Sequence, residues 1–317
     1  DACLIVTDDF PCFIIPQHNQ RIAQKANIPV YAVDSNGMIP MSRFAKEEYA
    51  AYTIRPKIKK MLPDYWKCEK DEKIIVRAEN LQLNCPENRI ENIPNLLKDC
   101  AIDHSVKPSP IYQGGSANAK KRLQHFIKNI FPEYAKTRNE CSVDGSSRLS
   151  PYLHFGFLSV YEIVEAVENA DVPPESKEAF LEELIVRREL AYNFTRFNPN
   201  YNSLQCLPAW TQETMRKHAN DRRDYLYSIE DLENFRTHDE IWNAAQRELV
   251  QTGGMHNYVR MLWGKNVIAW TRSYEEAFAI LEDFNNKYAL DGRNPNSYAG
   301  ILWCFGKHDR PWFERPV

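Results

Sequence analysis

From Ser116 onward the apolar residues recur at helical spacing, whereas the chain before it opens on short apolar runs. Leu4-Ile5-Val6 is such a run, of the kind a buried parallel strand makes. His18 to Ala26 reads as a helix. Ile28-Pro29-Val30-Tyr31-Ala32-Val33-Asp34 reads as a second strand, closed by the turn Ser35-Asn36-Gly37. One strand–helix–strand unit does not make a stable sheet alone. Either the sheet continues upstream of Asp1 or the unit packs on the rest of the chain. Glu47 to Lys60 has a helical pattern that ends by Pro63. Residues 41 to 105 are otherwise charged and poor in strands, and Pro86, Pro94, Pro108 and Pro110 punctuate a connector. Leu123, Phe126, Ile127 and Ile130 then fall at i, i+3, i+4, i+7 behind Ser116 as candidate N-cap. Ser159 and Glu162 form a capping-box pattern before Ile163 and Val167. Phe180, Leu184 and Ile185 start a helix after Pro173-Pro174. Ile241–Val250 and Met255–Trp270 make two more, separated by Gly253-Gly254. The expected fold is a partial α/β unit followed by a large all-α region.

Composition narrows this little. The 317 residues, 43% hydrophobic, are enough for one large or two smaller domains. No apolar run reaches the roughly 18 residues of a membrane span, and no charged-then-apolar signal opens the chain. It opens on the Leu4 strand with no Met, so further sequence upstream is expected. Eight scattered Cys without a C-x-x-C pair argue against zinc and against a disulfide scaffold, and fit a reducing cytosol or nucleus. The net charge is -3. Any binding of nucleic acid must therefore use a local basic face.

Four stretches carry candidate chemistry. Ser147-Arg148-Leu149-Ser150-Pro151-Tyr152-Leu153-His154-Phe155-Gly156 offers hydroxyls and free backbone N–H groups at a helix start, which suits a phosphate. As a bare pattern an ordinary helix cap is the commoner explanation. Met255 to Trp263, with Trp270 seven residues later, puts two indoles on roughly one helix face, about 10 Å apart along the axis. That permits electron hopping, although spacing alone favours a core stripe. In Asp291-Gly292-Arg293-Asn294-Pro295-Asn296, Gly and Pro make a tight turn and Asp291 is placed to accept from Arg260. On the pattern alone a solvated turn is the favoured explanation. In Glu182-Glu183-Leu184-Ile185-Val186-Arg187-Arg188-Glu189-Leu190, the Glu183/Arg187 spacing permits an i,i+4 pair, and a solvated helix face is the plain alternative. Trp242, Trp263, Trp270, Trp303 and Trp312 also crowd into the C-terminal third, as core, stacking platform or electron relay.

Together these motifs resemble the photolyase and cryptochrome family, most closely the class II cyclobutane pyrimidine dimer photolyases. SRLSPYLHFG, ELIVRREL, WNAAQ, MHNYVRM-W and KYALDGRNPN-Y, ending in HDRPWFERPV, stand in the family's order and spacing. EEYAAYTIRPKIKK is similar to the class II segment after the antenna domain. The resemblance covers nearly the whole chain.

The resemblance implies a partial Rossmann-like antenna domain over residues 1–60 without its N-terminal half, a linker over 61–110, and a helical domain over 111–317 that binds FAD and the DNA lesion. It implies light-driven repair, in which reduced FAD (FADH⁻) donates an electron to a flipped-out pyrimidine dimer. Tyr134 with Ser147, Arg148, Leu149, Ser150, Pro151 and Leu153 would hold the FAD phosphates and ribityl chain, and Asn257 and Gly292 would belong to the same site. Arg260 and Asp291 match the ion pair beside the isoalloxazine, and Asn285 the asparagine near flavin N5. Glu183 matches the acid that hydrogen-bonds the dimer. To donate to the dimer it must be kept protonated by burial. Trp242, Trp263 and Trp270 match the electron-relay indoles. Arg138, Met261, Trp303, Arg310 and Trp312 match the lesion pocket or the DNA surface.

Three departures stand out. The upstream half of the antenna domain is absent, which leaves an antenna chromophore in doubt. The chain stops at Val317, where class II proteins continue with basic residues. Leu262 replaces a frequent Tyr. UV-damaged DNA is the expected partner of a monomer without metal or membrane, in the cytoplasm with the nucleoid or in a nucleus. The rivals are a cryptochrome-like photoreceptor without repair and a non-catalytic remnant.

Overall fold

The computed structural model describes residues 2–66 and 92–311. Strands β1 (Ile5–Asp8) and β2 (Val30–Val33) pair in parallel, with Ile5 opposite Val30 and Asp8 opposite Val33, and α1 (Ile15–Lys25) joins them. α1 starts three residues before His18, because Pro16 fits its first turn, where a missing N–H costs nothing. Among the described residues these two strands are the whole sheet.

The rest is helical. α2 (Ala51–Tyr65) and α3 (Ile93–Lys98) lead to α4 (Ser116–His125), α5 (Tyr134–Thr137), α6 (Ser150–His154), α7 (Val160–Glu168) and α8 (Pro174–Leu181). Then come α9 (Arg188–Phe197), α10 (Ala209–His218), α11 (Ile229–Glu233), α12 (Glu240–Thr252), α13 (Asn257–Ala269), α14 (Tyr274–Tyr288) and α15 (Pro295–Cys304). Wide π-type turns, Phe126–Ile130 and Glu182–Arg187, follow α4 and α8.

α2 does not stop at Pro63. It runs through Pro56 and Pro63, because Ala51, Ile54 and Ile58 on one face are buried in the core with Met38, Ile39 and Phe126. Tertiary burial outweighs the local cost of proline. The expected division at residue 60 therefore falls inside a helix. Ser116 is the first residue of α4 and not its cap. Gly115, at φ +96°, makes the turn that a side chain would resist. The Ser159/Glu162 box forms as expected: the Ser159 hydroxyl accepts from Glu162 N–H at 3.1 Å, and the Glu162 carboxylate from Ser159 N–H at 2.9 Å.

Two hydrophobic cores share α9. One packs α2, α4, α7 and α8 around Phe126, Phe131 and Ile163. The other packs α12, α13, α14 and α15 around Phe194, Trp242 and Phe284. Eight consecutive residues of α9, Arg188 to Thr195, are buried, and α15 lies along it. A cavity opens where the two cores meet.

Candidate active site

The cavity measures about 370 Å³, within the range of small-molecule sites. One wall is the loop into α6. Arg122 of α4 donates to the carbonyls of Ser147 and Ser146 at 2.8 and 2.9 Å, which fixes the loop from behind. Arg148 sits at φ +54° and pairs with Asp144 at 2.9 Å. A non-glycine residue held there stores about 1–2 kcal/mol, a cost that collects at functional sites. Ser147, Arg148, Leu149, Ser150, Pro151 and Leu153 all face the cavity. Pro151 takes the first turn of α6, as its fixed φ favours. Tyr134 of α5 faces the cavity beside them.

Asp291 joins three elements. Its carboxylate accepts from the Ser150 hydroxyl of α6 and, at 3.3 and 3.4 Å, from both terminal nitrogens of Arg260 on α13. The Asp291 side chain is 17% exposed. Burial pushes its carboxyl up, but Arg260 and the Ser150 hydroxyl outweigh that and hold it below the usual range. Asn285 of α14 is buried and lines the cavity close by, as does Asn257 at the start of α13. Gly292 lies behind the wall. A Cβ there would stand 2.6 Å from the Asn285 carbonyl oxygen, so glycine lets the 289–293 turn close on α14 and carry Asp291 inward.

Trp263 lines the cavity and donates through its indole N–H to Gln246 at 2.8 Å. It does not lead directly to Trp270. Trp242 stands between them, stacked on Trp263 at 6.4 Å and edge-on to Trp270 at 5.6 Å. Trp270 is the C-cap of α13, its N–H still bonded to the Asn266 carbonyl at 3.0 Å.

Arg138, which lies 5.8 Å from the Tyr134 ring, Glu183 and Met261 also face the cavity. The permitted Glu183/Arg187 pair does not form. Arg138 takes Glu183 at 2.7 Å, while Arg187 lies 3.3 Å from Glu182 and 5.3 Å above the Trp303 ring. The Glu183 side chain is 37% exposed. Trp303 stands behind Arg187 and off the cavity wall. Arg310 is exposed at the end of the described chain, and Trp312 lies outside the described residues. Among the described residues no group of His, Cys, Asp and Glu is placed to hold a metal, and no helix is long and apolar enough to cross a membrane.

Tyr112, His154, Arg187 and His256 are among the lining residues that sequence reasoning did not assign to the site. His154 and Arg187 stand inside the quoted motifs and His256 beside Asn257, but nothing in their spacing distinguishes them from capping or surface residues. Nδ1 of His154 and Nε2 of His256 are buried without a partner, and both residues face the cavity. Buried polar atoms without partners are uncommon in a native fold and fit a site meant for a polar ligand.

No family model matches the chain. The deoxyribodipyrimidine photo-lyase of Methanothermobacter thermautotrophicus is 38% identical over 322 residues, covering all of this chain and 69% of that protein. The enzyme of the same name from Potorous tridactylus is 38% identical over 99% of this chain and 59% of its own length. That from Arabidopsis thaliana is 35% identical over all of this chain and 65% of its own. The chain thus spans roughly two thirds of these relatives. Among solved structures, a class III photolyase from Agrobacterium tumefaciens superposes with a TM-score of 0.71 at 18% identity, covering 99% of this chain and 64% of that one. A Synechocystis cryptochrome does so with 0.73 at 16%, covering 100% and 65%. At such identities the likeness shows the fold alone. The identity to the archaeal, marsupial and plant proteins along essentially the whole chain shows more: the chain belongs to the deoxyribodipyrimidine photo-lyase family.

Proposed function

We propose that the protein is a class II photolyase that splits cyclobutane pyrimidine dimers in DNA under blue light, with FAD in the cavity between the two cores. The observation that carries this reading is the convergence on one cavity of the Arg260–Asp291 pair and the first member of a chain of three touching indoles. The residues present fit a flavin dinucleotide. The orphaned His154 and His256 nitrogens, Asn285 and Asn257 are polar groups for an edge-bonded ring system, and Arg260 is a cation suited to its anionic reduced form. Tyr134, Ser147, Arg148, Leu149, Ser150, Pro151 and Leu153 would hold the phosphates and ribityl chain, with Gly292 acting through the placing of Asn285 and Asp291. When bound, reduced FAD supplies the photoexcited electron.

The chain's own residues do the rest. Trp270, Trp242 and Trp263 form a path along which an oxidised flavin is reduced. Arg138, Glu183 and Met261 would face the flipped lesion, with Trp303 behind Arg187; Arg310 and Trp312 are assigned to DNA contact by resemblance. The substrate is UV-damaged DNA and the acting species a monomer, located where DNA is, in the cytoplasm or a nucleus. The reading is tested by purifying the chain, loading it with FAD and recording its spectrum and its action on a dimer-bearing oligonucleotide. Stoichiometric FAD with light-dependent dimer loss supports it. Stoichiometric FAD with photoreduction and no dimer loss would favour a cryptochrome-like photoreceptor, and failure to retain FAD a non-catalytic remnant.

A further inference from the structure

Resting on the repair reading above, we infer that Arg187 is the hydrogen-bond donor to the carbonyl edge of the flipped dimer. A pyrimidine dimer presents carbonyl oxygens, which only accept. Glu183, the acid matched to this task by resemblance, is already an acceptor: Arg138 donates to it at 2.7 Å. That contact occupies one oxygen of its carboxylate. A further donor on the cavity wall would serve the dimer's carbonyl oxygens beside it.

Arg187 meets that need. It lines the cavity four residues after Glu183, on the wide turn Glu182–Arg187. Two groups flank its guanidinium, whose buried Nε makes no hydrogen bond. Nε lies 3.3 Å from the Glu182 carboxylate, and the face rests 5.3 Å from the centre of the Trp303 ring. Glu182 is in turn gripped by Arg55 of α2 through hydrogen bonds of 3.1 and 2.7 Å. The head group is thus in place before any substrate arrives. Its two terminal nitrogens make no hydrogen bond to a described residue, although a guanidinium carries four N–H donors there. A pre-positioned cationic fork with its terminal donors unused, at a cavity wall, calls for an oxygen acceptor.

The chemistry gives this contact a role in the reaction. The dimer would take up one electron, its two cyclobutane C–C bonds between the bases would break, and the electron would go back to the flavin that supplied it, restoring the reduced form. No atom is gained or lost. While the extra electron resides on the dimer, its carbonyl oxygens carry more negative charge. A fixed cationic donor therefore holds that state more tightly than the neutral dimer and favours splitting over premature electron return. A phosphate oxygen is the other acceptor of a nucleotide. Its charge is the same throughout, so contact with it would alter binding and leave the yield alone.

The test uses the FAD-loaded full chain, as wild type, Arg187→Met and Arg187→Gln. Three quantities are read: FAD per chain, the salt dependence of binding to an oligonucleotide carrying one dimer, and dimers split per absorbed photon at saturating oligonucleotide. The expected result is a yield at least threefold lower in Arg187→Met, with FAD content and salt slope unchanged. Arg187→Gln, which keeps a neutral donor, should fall between. If Arg187→Met does not keep its flavin, Arg187→Gln decides, and a wild-type yield there overturns the proposal. An unchanged yield with a salt slope reduced by about 0.9, the loss of one phosphate contact, would also overturn it. So would no change in either. Wild-type protein that holds FAD yet splits no dimer would sink the repair reading itself. A deficit confined to the variants leaves that reading standing.

Discussion

Trp242 stacks on Trp263 with planes 7° apart and ring centres 6.4 Å apart, and its indole N–H donates to the Trp263 carbonyl at 3.1 Å. The bond fixes the inner two rings of the stack to one another. Trp263 reaches the cavity, Trp270 lies beyond, and Trp242 touches both, so the proposed electron path runs through Trp242. Trp242→Phe should slow light-driven reduction of oxidised FAD at least tenfold, while chemically pre-reduced protein still repairs. The lost hydrogen bond and smaller ring should cost about 1–3 kcal/mol of stability. Transient absorption after a laser flash checks the rate, and thermal melting checks the cost. An undiminished rate in Trp242→Phe would exclude it from the path.

Asp291 ties α6 to α13 through Ser150 and Arg260. Asp291→Asn keeps the shape and removes the charge that Arg260 faces. The pair is partly open to solvent, so the loss should be about 1–3 kcal/mol, at or below the range for a fully buried pair. FAD content of the purified variant should fall. In the wild type the Asp291 carboxyl is held below its ordinary 3.8. A depressed carboxylate stabilises the fold at any pH above its unfolded value, and that contribution is lost as pH falls through the folded one. The Asp291 contribution should thus be constant from neutrality to about pH 5 and disappear only below pH 3.8. A pH series of melting temperatures for wild type and Asp291→Asn should converge in that acid range. Curves that converge nearer neutrality would contradict the assignment.

Glu189 has the opposite sign. It is 1% exposed, accepts from the backbone N–H groups of Met38 and Ile39 at 2.7 and 3.3 Å, and pins the β2-to-α2 segment to α9. Gly37 is required beside it, since a Cβ there would meet the carboxylate at 2.6 Å. Burial pushes the Glu189 carboxyl up to about 7, against the opposing pull of Arg188 and the two N–H donors. The folded state then binds more protons than the unfolded state between 4.5 and about 7, so stability falls as pH rises across that window. The effect amounts to about 3 kcal/mol at most. Glu189→Gln, which does not titrate, should flatten this slope. If wild type and variant show the same pH dependence from 4.5 to 7.5, Glu189 does not titrate as described.

Much of this was legible in the residues. The two strands, the helices from Ser116 onward and the Ser159/Glu162 cap follow from local periodicity and capping chemistry, which act over a few residues. The Arg260–Asp291 pair and the indoles were legible as partners. What sequence does not carry is competition between elements. Glu183 and Arg187 have the right spacing to pair. Yet Arg138, 45 residues earlier, and Trp303, 116 residues later, each offer a better contact. Likewise Trp263 and Trp270 sit one heptad apart, but the ring that touches both comes from α12. Pro63 signals a stop that burial of Ile54 and Ile58 overrides.

The central claim is that this cavity repairs DNA. Its most direct test is dimer content in an oligonucleotide with one cyclobutane pyrimidine dimer, measured after incubation with the pre-reduced, FAD-loaded chain in blue light and in darkness. The account predicts stoichiometric conversion to unmodified pyrimidines in the light, with turnover beyond one dimer per chain, and none in the dark. Dimer content equal in light and dark, in protein whose spectrum shows bound reduced FAD, would contradict it.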